Sequence, residues 1–317
     1  MRAFVFPGQG AQTIGMGRAL AEAYPAARAV FDEVDAALGE SLSSLIWEGD
    51  AETLQLTRNA QPALMATSLA ALRALESEGV ALTAAAYVAG HSLGEYSALC
   101  AAGSLTLADT ARLLRLRGEA MQAAVPVGQG AMAALLGLDF EQAAEVAREA
   151  RAEGGVCQAA NDNDPAQVVV SGTREAVERA VEIAKAKGAK RALLLPVSAP
   201  FHSALMQPAA EAMAEALAGV TLRDPAVPLV ANVTAAPVTD GAAIRDLLVR
   251  QVTGSVRWRE SVQWLAANGV TEAWEIGAGK ALSGMIRRTA PGVATRAVGT
   301  PEEARAASAA LTNQGAA

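Results

Sequence analysis

Gly90-His91-Ser92-Leu93-Gly94 matches G-x-S-x-G, the sharp strand-to-helix turn that lifts a serine hydroxyl above a sheet as a nucleophile. Residues 84–89, Ala-Ala-Ala-Tyr-Val-Ala, read as a buried strand leading into it, and residues 95–102 read as the start of a helix. The glycines two positions either side of Ser92 suit a cramped turn with no room for side chains. A strand, a sharp turn and a helix are the repeating unit of a parallel sheet covered by helices. Ser92 is therefore the candidate nucleophile; a glycine-bounded turn with an incidental serine is the plainer alternative.

Working outward, the same unit opens the chain. Residues 4–6 form a short strand, residues 7–12 (Pro-Gly-Gln-Gly-Ala-Gln) a glycine-rich loop, and residues 16–37 a helix. Helices are expected at 61–79 and 105–124. Beyond Val125-Pro126-Val127-Gly128 the order changes: strand 131–138, helix 140–151, strands 156–160 and 167–171, helix 174–187, strand 191–197. That β-α-β-β-α-β order is the ferredoxin-like pattern. The parallel-sheet segments resume at 229–232 and 273–276. The expected fold is α/β: a large parallel-sheet domain from residues 1–125 and 198–300, a ferredoxin-like small domain at 126–197, and a frayed helical tail at 301–317.

With 317 residues, 52% of them hydrophobic, the chain can bury a large core. A net charge of −7 argues against nucleic acid or an anionic membrane as the main partner. The first eight residues lack a signal-peptide pattern, and no stretch approaches the roughly 18 apolar residues of a membrane span. Cytoplasmic residence and a monomer are expected. Cys100 and Cys157 are the only cysteines and have neither a disulfide-framework nor a metal-ligand spacing. The densest basic run, Lys185, Lys187, Lys190 and Arg191, could dock an acidic protein or simply be a solvated helix end.

A serine hydroxyl needs a neighbouring base, most often histidine. The chain has two. His91 adjoins Ser92, where consecutive side chains diverge, so His202, in a loop after strand 191–197, is the candidate base. No acid stands out as a third member, which points to a dyad. In helix 105–124, at about 100° per residue, Arg117 falls within the apolar stripe of Leu113, Leu114 and Met121. Arg112 and Arg115 fall on the opposite, solvent side. A guanidinium on a buried face demands an anion or several acceptors. A substrate carboxylate and a protein acid both satisfy that demand. Gly8-Gln9-Gly10 lacks the third glycine of a dinucleotide loop, since position 13 is Thr13, and Gly277-Ala278-Gly279-Lys280 fails the P-loop pattern. The first loop could instead supply an oxyanion N–H, with the Leu93 N–H as the other.

Four segments together carry a family resemblance: Phe6-Pro7-Gly8-Gln9-Gly10-Ala11-Gln12, Gly90-His91-Ser92-Leu93-Gly94-Glu95-Tyr96, Arg115-Leu116-Arg117-Gly118, and Pro200-Phe201-His202-Ser203-Ala204-Leu205-Met206. The chain resembles the malonyl-CoA:acyl carrier protein transacylases of bacterial fatty acid synthesis. That resemblance implies an α/β-hydrolase-like large domain with a ferredoxin-like insertion. It implies Ser92 as the acylated residue, His202 as base, Arg117 as clamp for the malonyl carboxylate, and Gln9 and Leu93 as oxyanion donors. It further implies that the Gln251 backbone carbonyl orients the histidine, that Asn161 lines the cleft, and that Phe201 favours malonyl over branched acyl groups. Malonyl-CoA and acyl carrier protein are the implied partners, and no cofactor or metal is required. A serine thioesterase or esterase, the same transfer serving malonate decarboxylation or polyketide synthesis, and a noncatalytic carrier-docking subunit are the alternatives.

Overall fold

The strand that runs into Ser92 lies inside a sheet whose two faces are both covered. The structure, a computed structural model, describes residues 1–314. Among these, the strands are β1 (Arg2–Phe6), β2 (Tyr87–Gly90), β3 (Gly130–Leu136), β4 (Cys157–Asp164), β5 (Gln167–Thr173), β6 (Arg191–Leu194), β7 (Leu229–Ala231), β8 (Ala236–Val238), β9 (Glu272–Ile276) and β10 (Ala294–Val298). Six form one sheet in the order β10-β9-β1-β2-β7-β8, parallel except for the antiparallel edge strand β8. β1 explains why it is central: Phe4 and Phe6 are buried in the core on one face, Ala3 and Val5 in the core on the other. A strand apolar on both faces fits only between two helical layers, and full burial of each phenylalanine is worth about 1.5–3 kcal/mol.

The second sheet is antiparallel, in the order β4-β5-β3-β6. Helices Phe140–Ala152 and Arg174–Ala186 cover one face with an alanine- and valine-rich core. The first helix begins in a capping box, Asp139 accepting from the Gln142 N–H and the Gln142 side chain accepting from the Asp139 N–H. β4 joins this sheet to the rest of the molecule. Its Ala160 carbonyl accepts from the Val256 N–H at 2.8 Å, and its Asp162 N–H donates to the Val256 carbonyl at 2.9 Å. Two buried carboxylates reinforce the join: Asp162 accepts from Arg259 at 2.9 Å and Asp164 from Arg288 at 2.8 Å.

Several elements differ from the sequence reading. Residues 16–37 are not one helix. They divide into Arg18–Ala23 and Pro25–Leu38, because the residue before a proline is driven out of the helical region and Tyr24 is extended (φ −130°, ψ 116°). The helix expected at 61–79 runs Thr57–Ser77, with Pro62 inside it. Of the segment 84–89, Ala84 closes a 3₁₀ turn, Leu82–Ala84, and the strand begins only at Tyr87. The tail is not frayed where it is described: helix Pro301–Gln314 buries Ala304 and Ala307, and residues 315–317 lie outside the described residues. Arg115 does not face solvent as expected. Its side chain is only 11% exposed, pairs with Glu40, and donates to Asn59 at 2.6 Å. No described helix is long and apolar enough to cross a membrane.

Candidate active site

Ser92 sits at φ 53°, a left-handed conformation that costs a non-glycine residue on the order of 1–3 kcal/mol and persists only where surroundings enforce it. The enforcement is visible. A Cβ on Gly90 would lie 1.9 Å from the Gly94 carbonyl carbon, and one on Gly94 would lie 2.2 Å from the Phe6 carbonyl oxygen, so the turn closes only with glycine at both places. Asn232, buried at the end of β7, braces it from the side. Its Oδ1 accepts from the Ser92 N–H at 2.8 Å and its Nδ2 donates to the Gly90 carbonyl at 2.6 Å. Helix Leu93–Ala101 starts immediately after the serine.

His202 is also left-handed, at φ 56°, in a turn tied by the Ser203 hydroxyl donating to the Pro200 carbonyl at 2.7 Å. Its Nε2 is 2.7 Å from Ser92 Oγ, and its Nδ1 is 2.9 Å from the Gln251 backbone carbonyl. A carbonyl only accepts, so Nδ1 carries the proton and the Nε2 lone pair faces the serine hydroxyl. Burial, then the nearby Arg117 charge, pushes the imidazole down to about 3, so the histidine is neutral over the physiological range. No carboxylate touches the ring among the described residues; a backbone carbonyl occupies the place a triad acid would take. His91 points away, to Asn163 Oδ1 at 2.8 Å.

Arg117, in helix Leu107–Ala123, is 1% exposed. It donates to Gln61 Oε1 and to Gln251 Oε1, each at 2.7 Å, and to Ser92 Oγ at 3.2 Å. Its guanidinium carbon lies 5.6 Å from the centre of the Tyr96 ring. Every hydrogen-bond partner is neutral, and no described carboxylate forms an ion pair with it. The protein-acid alternative left open by the sequence is therefore not what holds this cation. The nearest acid in the network is Glu95, buried, reached through Gln251 Nε2 at 2.5 Å, and burial pushes its carboxyl up to about 7.

Gln9 stands on the loop beside the elbow, because Gly8 presses against it: a Cβ there would lie 2.6 Å from the His91 carbonyl oxygen. Its side chain accepts from the Thr57 hydroxyl at 3.1 Å. Neither the Gln9 nor the Leu93 backbone N–H has a hydrogen-bond partner among the described residues. Two free N–H groups flanking a serine can receive a developing oxyanion. Phe201 is buried, packed in the main core beside the base.

The remaining sequence-nominated residues form no hydrogen bond with Ser92, His202 or Arg117. Asn161 is buried on β4 at an irregularity in its pairing with β5, without a hydrogen bond to any of the residues above. It is its neighbour Asn163 that reaches the elbow, through His91. Lys185 and Lys187 sit at the end of helix Arg174–Ala186, paired with Glu182 at 2.7 Å and Glu149 at 2.6 Å. Lys190 precedes β6 and Arg191 is its first residue, both exposed. The sequence reading missed Gln61, Glu95, Asn232 and Asn163. For Gln61 and Glu95 a signal was present, since each has apolar residues of its own helix for near neighbours, as Arg117 does. Asn232 and Asn163 carry no comparable pattern.

A strained serine bonded to a neutral histidine above a parallel sheet, with two free N–H groups beside it, defines a serine-dependent acyl-transfer enzyme of α/β architecture. The family described as "Acyl transferase domain" matches residues 3–309. The chain is 51% identical over 300 residues to a malonyl CoA-acyl carrier protein transacylase of Bacillus subtilis, covering 95% of this chain and 94% of the relative. An acyl-carrier-protein S-malonyltransferase from Bartonella henselae superposes with a TM-score of 0.96 at 58% identity, over 98% of this chain and 99% of that one. A malonyl-transacylase solved in complex with its type II polyketide synthase acyl-carrier protein superposes at 0.94 with 42% identity, over 98% and 99%. The chain belongs to the acyl transferase domain family, among the malonyl CoA-acyl carrier protein transacylases.

Proposed function

We propose that this protein transfers the malonyl group from malonyl-CoA to the phosphopantetheine thiol of acyl carrier protein, in two half-reactions through an ester on Ser92. His202 Nε2 takes the Ser92 proton as Oγ attacks the thioester carbonyl. The oxyanion rests on the Gln9 and Leu93 N–H groups. Collapse of the tetrahedral intermediate breaks the C–S bond, and the imidazolium returns its proton to the departing thiolate. In the second half the carrier thiol gives its proton to His202 and attacks the malonyl ester; the C–Oγ bond breaks, and the imidazolium returns the proton to the departing Ser92 Oγ. Gln251 keeps the histidine in the required tautomer throughout through its backbone carbonyl.

The observation that carries the malonyl reading is Arg117: a buried guanidinium with only neutral partners, 3.2 Å from the nucleophile. A planar guanidinium is suited to bidentate capture of a carboxylate, and a carboxylated acyl group on Ser92 would bring one there. A thioesterase or esterase for neutral acyl groups has no use for that charge. The serine, histidine and backbone N–H groups supply all the chemistry, so no metal or redox cofactor takes part. A role in fatty acid synthesis, in the cytoplasm and as a monomer, fits this reading, as does carrier docking through Lys185, Lys187, Lys190 and Arg191. The test is intact mass after mixing with malonyl-CoA. A malonyl adduct is expected on the wild type and none on Ser92→Ala; an adduct that persists on Ser92→Ala overturns the reading.

A further inference from the structure

Glu95 takes no part in the chemistry above, yet it is 1% exposed and lies at the hub of the polar network behind it. Its Oε2 accepts from Gln251 Nε2 at 2.5 Å, and its Oε1 accepts from the Asn232 backbone N–H at 3.3 Å. Each partner is itself committed to the reacting groups. Asn232 braces the Ser92 turn through two side-chain bonds. Gln251 donates from Nε2 to the Ser92 carbonyl at 2.9 Å, accepts from Arg117 at Oε1, and holds His202 through its backbone.

An amide has two ends of opposite polarity, and only one orientation serves here. With Oε1 toward Arg117, a donor meets an acceptor. Reversed, the amide NH₂ would confront the guanidinium, donor against donor, and Oε1 would confront the Ser92 carbonyl, acceptor against acceptor. Glu95 reinforces this from the far side: its Oε2 faces Nε2 as an acceptor, and in its ionised form the carboxylate can only accept, so it selects Nε2. We propose that Glu95 is a positioning residue that fixes the Gln251 amide and through it aims Arg117 at the acyl carboxylate. It contacts neither the substrate nor the reacting atoms. Its effect falls on recognition of the carboxylated acyl group rather than on proton transfer, because the Gln251 carbonyl that orients His202 belongs to the backbone.

The proposal rests on Arg117 being the clamp for the malonyl carboxylate, and the experiment separates the two. Rates of Ser92 acylation by malonyl-CoA and by acetyl-CoA are followed by quench and intact mass, and their kcat/KM ratio is the readout. Glu95→Met keeps the volume and removes the acceptor: the malonyl-to-acetyl ratio is expected to fall about tenfold. Glu95→Gln, which retains an acceptor for Gln251 Nε2, is expected to keep the ratio within about threefold of wild type. Arg117→Ala should lower the ratio further still. If the ratio falls in Arg117→Ala but is unchanged in Glu95→Met, Glu95 is mere packing and the positioning role is overturned. If Arg117→Ala leaves the ratio intact, the clamp reading itself has failed. Should thermal unfolding show Glu95→Met to be unfolded, Glu95→Asp retains the charge but shortens the reach to Gln251. It must then lower the ratio by at least about threefold, and an unchanged ratio overturns the proposal.

Discussion

Arg117 and Lys187 are both cations that the sequence offers to an acidic ligand, and the molecule treats them oppositely. Arg117 is buried and surrounded by amide, hydroxyl and ring, with no acid in ion-pair contact. Lys187 is exposed and lies between Glu149 at 2.6 Å and Glu145 at 3.6 Å. A buried charge without a counter-ion is costly, and evolution of a stable fold would remove it unless something else used it. An exposed charge with two counter-ions is already answered and contributes little to anything. What identifies a ligand site is the missing partner, and density of charge along the sequence says little about that.

The most severe way to test the buried side of this contrast is to remove the atoms it serves. Ser92→Ala should abolish the acyl-enzyme. His202→Ala should slow its formation by about 10³-fold or more, since a serine without its base retains only binding and oxyanion stabilisation. Both are read by single-turnover mass spectrometry. Next in size, Arg117→Ala should lower kcat/KM for malonyl-CoA about 10²-fold, the loss of a desolvated charge pair of about 3 kcal/mol. Acetyl-CoA should lose less than about fivefold. Equal losses on the two substrates would break the contrast, because Arg117 would then be a structural cation like any other.

How far this contrast was legible before the structure depends on where each partner lies in the chain. Ser92 and Leu93 are local to one turn, and a turn motif carries its own geometry. His202 was found because histidine is scarce, and Arg117 because a helix wheel shows which residues turn inward. A wheel shows direction and nothing about neighbours: it sent Arg115 to solvent, whereas Glu40 and Asn59 fold over it. Gln61 meets Arg117 across 56 positions of sequence, Asn232 meets Gly90 across 142 and Gln251 meets Glu95 across 156, and no spacing encodes such meetings. The helix break at Pro25 is local and readable, since proline restricts the residue before it. Gln251 was available only through family resemblance, because its contribution to His202 is a backbone carbonyl that any residue could provide.

Acidity sharpens the contrast further, since burial acts on His202 and Glu95 in opposite directions. With His202 held down to about 3, acylation should show no histidine titration between about pH 5 and 8, and the acid limb should fall only far below the ordinary imidazole range. The sign for stability follows. Between about 3 and the ordinary 6.5 the unfolded chain binds a proton that the native His202 does not, so its contribution weakens as pH falls through that window. Glu95 does the reverse: between 4.5 and about 7 the native carboxyl holds a proton the unfolded chain has released, so its contribution weakens as pH rises. Melting temperatures of His202→Gln and Glu95→Gln across pH 4 to 8 separate the two. The first should lose less stability on acidification than wild type, the second less on moving toward neutrality. An acid limb in the wild-type rate near pH 6.5 that vanishes from no variant would contradict this account.

The smallest expected effect belongs to the exposed cations, and it is the one that tests the lesson most directly. Lys185 and Lys187 are engaged with Glu182, Glu149 and Glu145, whereas Lys190 and Arg191 form no ion pair among the described residues. If an acidic carrier docks on this face, the unpaired members must supply the attraction. The double reversal Lys190→Glu and Arg191→Glu should raise the KM for carrier protein by about three- to fivefold at low salt. Reversing Lys185 and Lys187 should change it less than about twofold, because each lysine already has a local counter-ion. Neither pair should alter acylation of Ser92 by malonyl-CoA, which does not involve the carrier. Equal effects from both pairs would mean that the local glutamates do not screen their lysines. The absence of a partner would then cease to distinguish a binding cation from a bystander on this surface, leaving the rule valid only where burial enforces it.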